Sequence, residues 1–125
     1  MITLAKSYSN QKKYALAEEW CKKAIEYKKT DKYYYYLMST ILQEENKIEE
    51  AIISLKKAIY IDDNFILPYF LLGNLYLKQG KQKDAEKQFE NTLSMLDKLG
   101  DEAVLHASDG MTAGKMKEIV KTMLQ

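Results

Sequence analysis

Apolar and small residues recur along this chain at spacings of three and four, the pattern of amphipathic helices. Three stretches align without a gap, and they begin at Ala17, Ala51 and Ala85, each 34 residues after the one before. Four positions further on stand Cys21, Leu55 and Phe89, and seven positions further on stand Ala24, Ala58 and Thr92. The chain is therefore built from a repeated unit of 34 residues.

The residues upstream of each stretch obey the same period. Large residues stand at Tyr8, Leu42 and Tyr76, and small ones at Ala5, Ser39 and Gly73. Short polar segments follow at 10–14, 45–49 and 79–83. Each unit therefore predicts two helices joined by a turn, with small residues where the helix backbones approach and large residues filling the space between them. The fold class is all-α.

Local signals predict where several helices begin and end. Asp31 and Asn64 stand where an N-cap would start the first helix of the second and third units. Pro68 falls in the first turn of its helix, where a missing N–H costs little. Gly100 is the predicted C-cap of the last repeat helix.

The spacing resembles the tetratricopeptide repeat, whose pattern is W-x2-L-G-x2-Y followed by A-x3-F-x2-A and a proline. The third unit reads Tyr69-x2-Leu72-Gly73-x2-Tyr76, then Ala85-x3-Phe89-x2-Thr92. Thr92 replaces the last small residue, and no unit has the closing proline. The resemblance implies a right-handed α-solenoid of three helix pairs, with repeats at 1–31, 32–65 and 66–99.

Composition narrows the class of protein. The 125 residues are 46% hydrophobic and 30% charged, which suits one globular domain. The longest apolar run, at 65–73, is far shorter than the ~20 residues of a membrane span. The N-terminus lacks a signal-peptide pattern and Cys21 is the single cysteine, so we predict a cytoplasmic protein. The net charge is +1, and all 19 basic residues are lysine, which argues against a nucleic-acid partner.

The segment after the repeats breaks the period. We predict a linker at 100–111 and a helix at 112–125, with Thr112 as its N-cap. One apolar stripe follows at Met116, Ile119, Val120, Met123 and Leu124. Two interpretations stay open: a helix that caps the third repeat, or a mobile helix that docks into a groove of this array or of a partner.

The stretch "LHASDGMTAGKMKEIV" after a tetratricopeptide array is similar to the C-terminal module of chemotaxis receptor methyltransferases of the CheR type. That resemblance implies a non-catalytic, regulatory module, with chemotaxis receptors or signalling proteins as partners. The family's catalytic domain, which binds S-adenosylmethionine, lies upstream, and no residue here matches it. Because the first repeat begins at its fourth position, at Met1, we expect the chain to continue a longer protein.

The sequence shows no constellation of catalytic or metal-binding residues. His106 is alone in a turn-like segment, and Cys21 occupies an apolar repeat position, where a buried inert thiol is expected. No Cys/His spacing suits zinc. We therefore predict a protein that is not an enzyme and holds no cofactor or metal.

The resemblance also implies where a partner would bind, since the first helix of each tetratricopeptide repeat lines the concave face. In the first repeat the corresponding positions are Ile2, Lys6, Ser9 and Asn10. In the second and third repeats we select Tyr33, Tyr36, Thr40, Gln43, Leu67, Phe70, Asn74, Leu77 and Lys78, named here the predicted ligand positions. Asn74 could bond the main chain of an extended peptide. The Lys/Asn/Arg carboxylate clamp of some family members is absent, which argues against a chaperone-tail ligand.

Three functions fit these positions. The first is a protein–protein interaction module of a chemotaxis-type methyltransferase, which binds a peptide or a helix in its groove. The second is a self-associating scaffold whose groove is used in a homodimer, and the third is a free-standing adaptor. The run of tyrosines at 33–36 bears on all three: Tyr33 and Tyr36 are expected on the ligand side, whereas Tyr35 is expected in the core.

Overall fold

A computed structural model describes residues 13–125, and in that part of the chain it is all-α. The helices are α1 (Tyr14–Tyr27), α2 (Lys32–Glu44), α3 (Ile48–Ile61), α4 (Leu67–Lys78), α5 (Gln82–Leu96) and α6 (Ala113–Met123). They pack in pairs, as the repeat predicts. The predicted first helix of the first repeat, with Ile2, Lys6, Ser9 and Asn10, lies outside the described residues.

The chain divides into two compact units, and the boundary follows Asp62. In the first unit, α2 packs against both α1 and α3. In the second unit, Asp63–Gln125, α5 packs against both α4 and α6. Each unit thus holds one complete predicted helix pair, α2 with α3 and α4 with α5.

The predicted register of the second helices is confirmed by burial. Ala17, Ala51 and Ala85 are 0% exposed, so their small side chains stand where helices meet. The other repeat positions on these helices are at most 2% exposed: Cys21, Leu55 and Phe89, then Ala24, Ala58 and Thr92. The polar member of this set, Thr92, satisfies its hydroxyl by donating to the Gln88 carbonyl oxygen at 2.8 Å.

The turn inside each complete helix pair is the same in the two units. Asn46 and Gly80, 34 positions apart, both have positive φ, at 63° and 74°. The next amide, of Lys47 or Lys81, donates back across the last helical turn to the carbonyl oxygen of Leu42 at 2.8 Å or of Tyr76 at 2.9 Å. This is the Schellman closure, which satisfies carbonyl oxygens that the helix end would otherwise leave unpaired. Glycine and asparagine stand there because they tolerate left-handed backbone.

Two of the four predicted helix-end signals in the repeats are confirmed. Asp31 is the N-cap of α2, and its Oδ1 accepts from the Tyr33 amide at 2.9 Å. Pro68 lies in the first turn of α4. Asn64 was wrongly predicted, because α4 begins three residues later and has no side-chain cap. Gly100 was also wrongly predicted: α5 already ends at Leu96, and the Gly100 carbonyl accepts from Ala103 in the following turn.

Replacing Asp31 by alanine is expected to lower the free energy of unfolding by about 1 kcal/mol, because the Tyr33 amide loses its acceptor. Asp31→Asn keeps a side-chain oxygen at the same place and should retain most of the stability. Urea unfolding followed by circular dichroism measures both variants. Equal losses for alanine and asparagine would show that the cap does not stabilise α2.

The segment after α5 is a structured loop that leads into α6. Leu105 is buried, its amide donates to the Met111 carbonyl oxygen at 2.8 Å, and Val104 pairs with Thr112 in an isolated antiparallel bridge. The Ser108 hydroxyl donates to the Leu105 carbonyl oxygen at 2.6 Å and accepts from the Met111 amide at 3.0 Å. The loop is thus held together by its own backbone and by one serine.

The same segment satisfies the free amides at the start of α6. Ala113 donates to the Ala103 carbonyl oxygen at 2.8 Å, and Gly114 donates to that of Asp101 at 2.9 Å. Thr112, predicted as the N-cap, accepts from the Lys115 amide at 3.3 Å, which confirms it. Because α6 packs on α5 of its own unit, the structure shows the contact that a capping helix requires.

Within residues 13–125, no helix is both long and apolar enough to cross a bilayer.

Candidate functional site

The predicted ligand positions of the second repeat all lie on α2. Tyr33, Tyr36, Thr40 and Gln43 follow one another at steps of three, four and three residues, so the helix carries them on one face. All four are half-buried. The core of this helix is instead formed by Leu37, Met38, Ser39, Ile41 and Leu42. The predicted face is therefore distinct from the residues that hold the helix in its unit.

The two tyrosines on this face form a pair. The ring centroids of Tyr33 and Tyr36 are 6.0 Å apart and the rings are tilted by 32°, a geometry typical of interacting aromatic side chains. Thr40 bonds its own helix, since its hydroxyl donates to the Leu37 carbonyl oxygen at 2.7 Å. Gln43 has a buried amide nitrogen without a hydrogen-bond partner among the described residues. The face thus combines aromatic area with one unsatisfied donor.

The predicted ligand positions of the third repeat differ in exposure along α4. Leu67 is only 6% exposed, so its side chain belongs mainly to the core. Phe70 is half-buried and its ring lies 5.9 Å from that of Phe89, between centroids. Asn74 and Leu77 are half-buried, and Lys78 is exposed. In this unit, Asn74, Leu77 and Lys78 offer the accessible surface, and Phe70 is shared with the packing of the helix pair.

The residues considered for chemistry stand apart from one another. Cys21 is 2% exposed, as predicted, and burial, with a smaller effect of the Glu18 carboxylate, raises the pKa of its thiol to about 12. A thiol with that pKa is protonated near neutral pH and is a poor nucleophile. His106 is exposed in the loop before α6 and lies edge-on to Phe65, with ring centroids 5.5 Å apart. Among residues 13–125, no three His, Cys, Asp or Glu side chains are grouped to hold a metal.

Tyr35 departs from its prediction. It is half-buried rather than part of the core, and the Lys57 ammonium lies 5.9 Å from its ring centroid. Tyr69, its counterpart in the third repeat, is also half-buried, and its hydroxyl donates to the Asp63 carbonyl oxygen at 2.9 Å. At this repeat position the ring packs with one side only, because its polar edge or hydroxyl reaches outward.

Sequence reasoning missed two depressions in the first unit, both lined by Tyr35. One has a volume of about 410 Å³ and lies among α1, α2 and α3. The other has a volume of about 480 Å³ and is named here the Tyr60 cavity, after its most exposed wall residue. Its apolar wall is formed by Tyr35, Ile53, Tyr60 and Ile61. Ile53 and Tyr60 are apolar at helix positions outside the repeat pattern, and that excess was the available signal.

A carboxylate pair and a lysine join α1 to the turn between α2 and α3. The Lys47 ammonium lies 3.2 Å from Glu18 and 3.0 Å from Glu45. Burial opposes ionisation of Glu18, but hydrogen bonds with Glu45 and Lys47 outweigh it and lower the pKa of Glu18. Burial, together with the Glu18 charge, raises the pKa of Glu45. This cluster is a structural link in which one carboxylate carries the charge more readily than the other.

Solved structures share this fold. The type III secretion translocator chaperone SycD of Yersinia enterocolitica is 15% identical, with a TM-score of 0.82 over 98% of this chain and 84% of that chain. PcrH, solved with the chaperone-binding region of PopD, is 18% identical, with a TM-score of 0.75 over 98% and 90%. MamA of Desulfovibrio magneticus RS-1 is 20% identical, with a TM-score of 0.71 over 75% and 53%. SycD has also been solved with a peptide of the translocator YopD.

No curated protein sequence matches the chain. Two models of the tetratricopeptide repeat do match it, one at residues 40–80 and the other at residues 1–31 and 68–95. These matches together span most of the chain and include both complete helix pairs of the structure. The chain therefore belongs to the tetratricopeptide repeat family.

Proposed function

We propose that this chain is a non-catalytic protein–protein interaction module that binds a peptide or a helix through the first helices of its repeats. The observation that carries the proposal is the face of α2 on which Tyr33 and Tyr36 lie half-buried as a pair. Neither ring is used up in the core, and tyrosine offers a large contact area at a low entropic cost. Asn74 and Lys78 supply polar groups at the corresponding positions of α4.

Structures of the same fold support a peptide ligand. SycD has been solved with a peptide of YopD, and PcrH with the chaperone-binding region of PopD. Both identities are below a fifth, so what passes to this chain is the geometry of a helical repeat that accepts a peptide segment. The ligand of this chain is proposed as a peptide segment of another protein.

A finer form of the proposal concerns the parent protein. The tail "ASDGMTAGKM" resembles that of chemotaxis receptor methyltransferases, so the module would regulate or dock such an enzyme to its receptor or to another signalling protein. The tail is the feature that supports this form; SycD, PcrH and MamA add no support for chemotaxis. The upstream coding sequence tests it, because the absence of a methyltransferase domain there would rule it out.

The test of peptide binding starts from a peptide selected on the wild-type chain from a phage-displayed library. Tyr36→Ala is expected to weaken its binding, measured by calorimetry, by about tenfold or more, as for removal of a central aromatic contact. Tyr27→Ala is the matched control, because Tyr27 is 83% exposed on α1 and away from the predicted ligand positions. Circular dichroism checks that both variants fold. Equal affinities for the two variants would contradict the proposed site.

Self-association is the second candidate, and SycD, solved in an alternative dimer, favours it as a possibility of this fold. A homodimer that uses the predicted ligand positions should dissociate in Tyr36→Ala/Phe70→Ala, as measured by light scattering. If the wild type and the variant are both monomers, the homodimer is excluded and the peptide-binding proposal stands by itself.

A further inference from the structure

We propose that the Tyr60 cavity is a second docking site, which accepts an acidic segment of a partner protein with a large apolar side chain. The site lies wholly within the first unit, at the carboxyl-terminal ends of α1 and α3. It does not include Tyr33, Tyr36 or any other predicted ligand position. The inference is therefore independent of the proposed function and would survive its failure.

The wall of the Tyr60 cavity is apolar and accessible. Tyr60 is 91% exposed and Ile53 is 54% exposed, and both project from α3 beside the ring of Tyr35. The volume of about 480 Å³ falls within the roughly 300–1,000 Å³ of known small-ligand sites. A recess of this size can enclose one large side chain and the backbone on either side of it. Adjoining exposed apolar side chains are typical of interaction sites.

The charges around the cavity have one sign. Its charged lining residues are Lys29, Lys56 and Lys57, all exposed, and no carboxylate lines it. Among residues 13–125, none of the three ammonium groups lies within ion-pair distance of a carboxylate. By contrast, Lys22 and Lys23 on α1 are paired with Glu18 and Glu19. Acidic side chains of a partner would complete the three unpaired lysines and be drawn to them electrostatically.

The shape of the site favours a peptide over a membrane or a nucleic acid. A lipid surface is bound by apolar side chains that protrude into it, whereas Tyr35 and Ile61 are half-buried in a recess. Nucleic acids are usually gripped by arginine as well as lysine, and this chain has no arginine. An apolar recess with a lysine rim instead matches a hydrophobic residue flanked by aspartate or glutamate.

The experiment uses the synthetic peptide acetyl-Glu-Glu-Leu-Phe-Glu-Glu-amide as the probe, added to the isotope-labelled full chain and followed by NMR. Amide shifts are expected at Lys56, Lys57, Tyr60 and Ile61, and the affinity should fall with added salt. Lys56→Glu/Lys57→Glu should weaken binding at least tenfold, because it reverses the rim charge. Tyr60→Ala should weaken binding without a change of charge, and its exposed side chain makes unfolding of the variant improbable on physical grounds.

The matched control is Lys83→Glu/Lys87→Glu on α5, which changes the net charge equally at two exposed lysines of the second unit. It should bind the probe like the wild type. The peptide acetyl-Lys-Lys-Leu-Phe-Lys-Lys-amide should not bind. Unchanged affinity in Lys56→Glu/Lys57→Glu, or equal binding of the two peptides, would overturn the proposal. So would binding to vesicles that contain phosphatidylserine without binding of the acidic peptide, because the site would then be a membrane surface.

Discussion

Phe89→Ala is expected to lower the free energy of unfolding of the second unit by about 3–5 kcal/mol, the usual cost of truncating a buried phenylalanine. Phe89 is 1% exposed, and its ring fills the space between α4 and α5. It touches the backbone of α4 at Gly73 and lies beside Phe70. A cavity there cannot collapse easily, because both helices are held by further buried positions on either side, such as Ala85 and Leu72.

Urea unfolding followed by circular dichroism measures this loss. Glu90→Ala, one residue further along α5, is the control, because Glu90 is exposed and should change stability little. Trp20 is the single tryptophan and belongs to the first unit, so its fluorescence reports whether that unit unfolds in the same transition. A loss below about 1 kcal/mol for Phe89→Ala would show that the ring is not a core element.

The second large effect is expected at Gly73, in the middle of α4. A Cβ placed on Gly73 would lie 2.4 Å from Cε1 of Phe89 and 2.8 Å from two further ring carbons. Alanine favours a helix over glycine by about 1 kcal/mol, but overpacking a core costs about 1–3 kcal/mol and sometimes more. Because three ring atoms collide and the ring is enclosed, we expect Gly73→Ala to be destabilising overall.

The repeat itself supplies the compensating change. At the positions equivalent to Gly73 and Phe89, the second repeat has Ser39 and Leu55, both 0% exposed. A smaller partner on the second helix therefore accompanies a larger residue on the first. Gly73→Ser/Phe89→Leu should recover stability relative to the sum of its single changes, which a double-mutant cycle measures.

Gly100→Ala is the control for this experiment, since a Cβ there would meet nothing within 4 Å. It should leave the unfolding transition nearly unchanged. Additive single changes in the Gly73/Phe89 cycle would contradict a direct contact between the two positions. Gain of stability in Gly73→Ala would show that the helix tolerates a side chain at its closest approach to α5.

The period of 34 residues predicted the helix pairs and their core because close packing between helices needs small residues at fixed points. Ala51 and Ala85 are fully buried for that reason, and Leu55 and Phe89 fill the space next to them. Caps with a local mechanism were also predictable: Asp31 and Thr112 each accept a hydrogen bond from an amide within three residues. Such features depend on a few neighbours along the chain.

The wrong predictions concern places where several segments compete for the same backbone groups. Asn64 is a good capping residue in isolation, but α4 begins only at Leu67. Gly100 was predicted to end α5, yet α5 ends at Leu96, and Gly100 belongs to the loop that continues to α6. Tyr35 was predicted to be buried by its repeat position, but it lines cavities in which Lys57 covers part of its ring.

The sequence by itself determined that this is an all-α tetratricopeptide array, where its helix pairs lie, and which side of the first helices is open to a partner. Those properties follow from periodicity, since the helix geometry is the same in every repeat. Only the tertiary structure decided which of those positions stay accessible, as with Tyr36 against Leu67, and that Tyr35, Ile53 and Tyr60 meet in one cavity beneath unpaired lysines. Accessibility and charge pairing depend on residues far apart in the chain, and no local pattern records them.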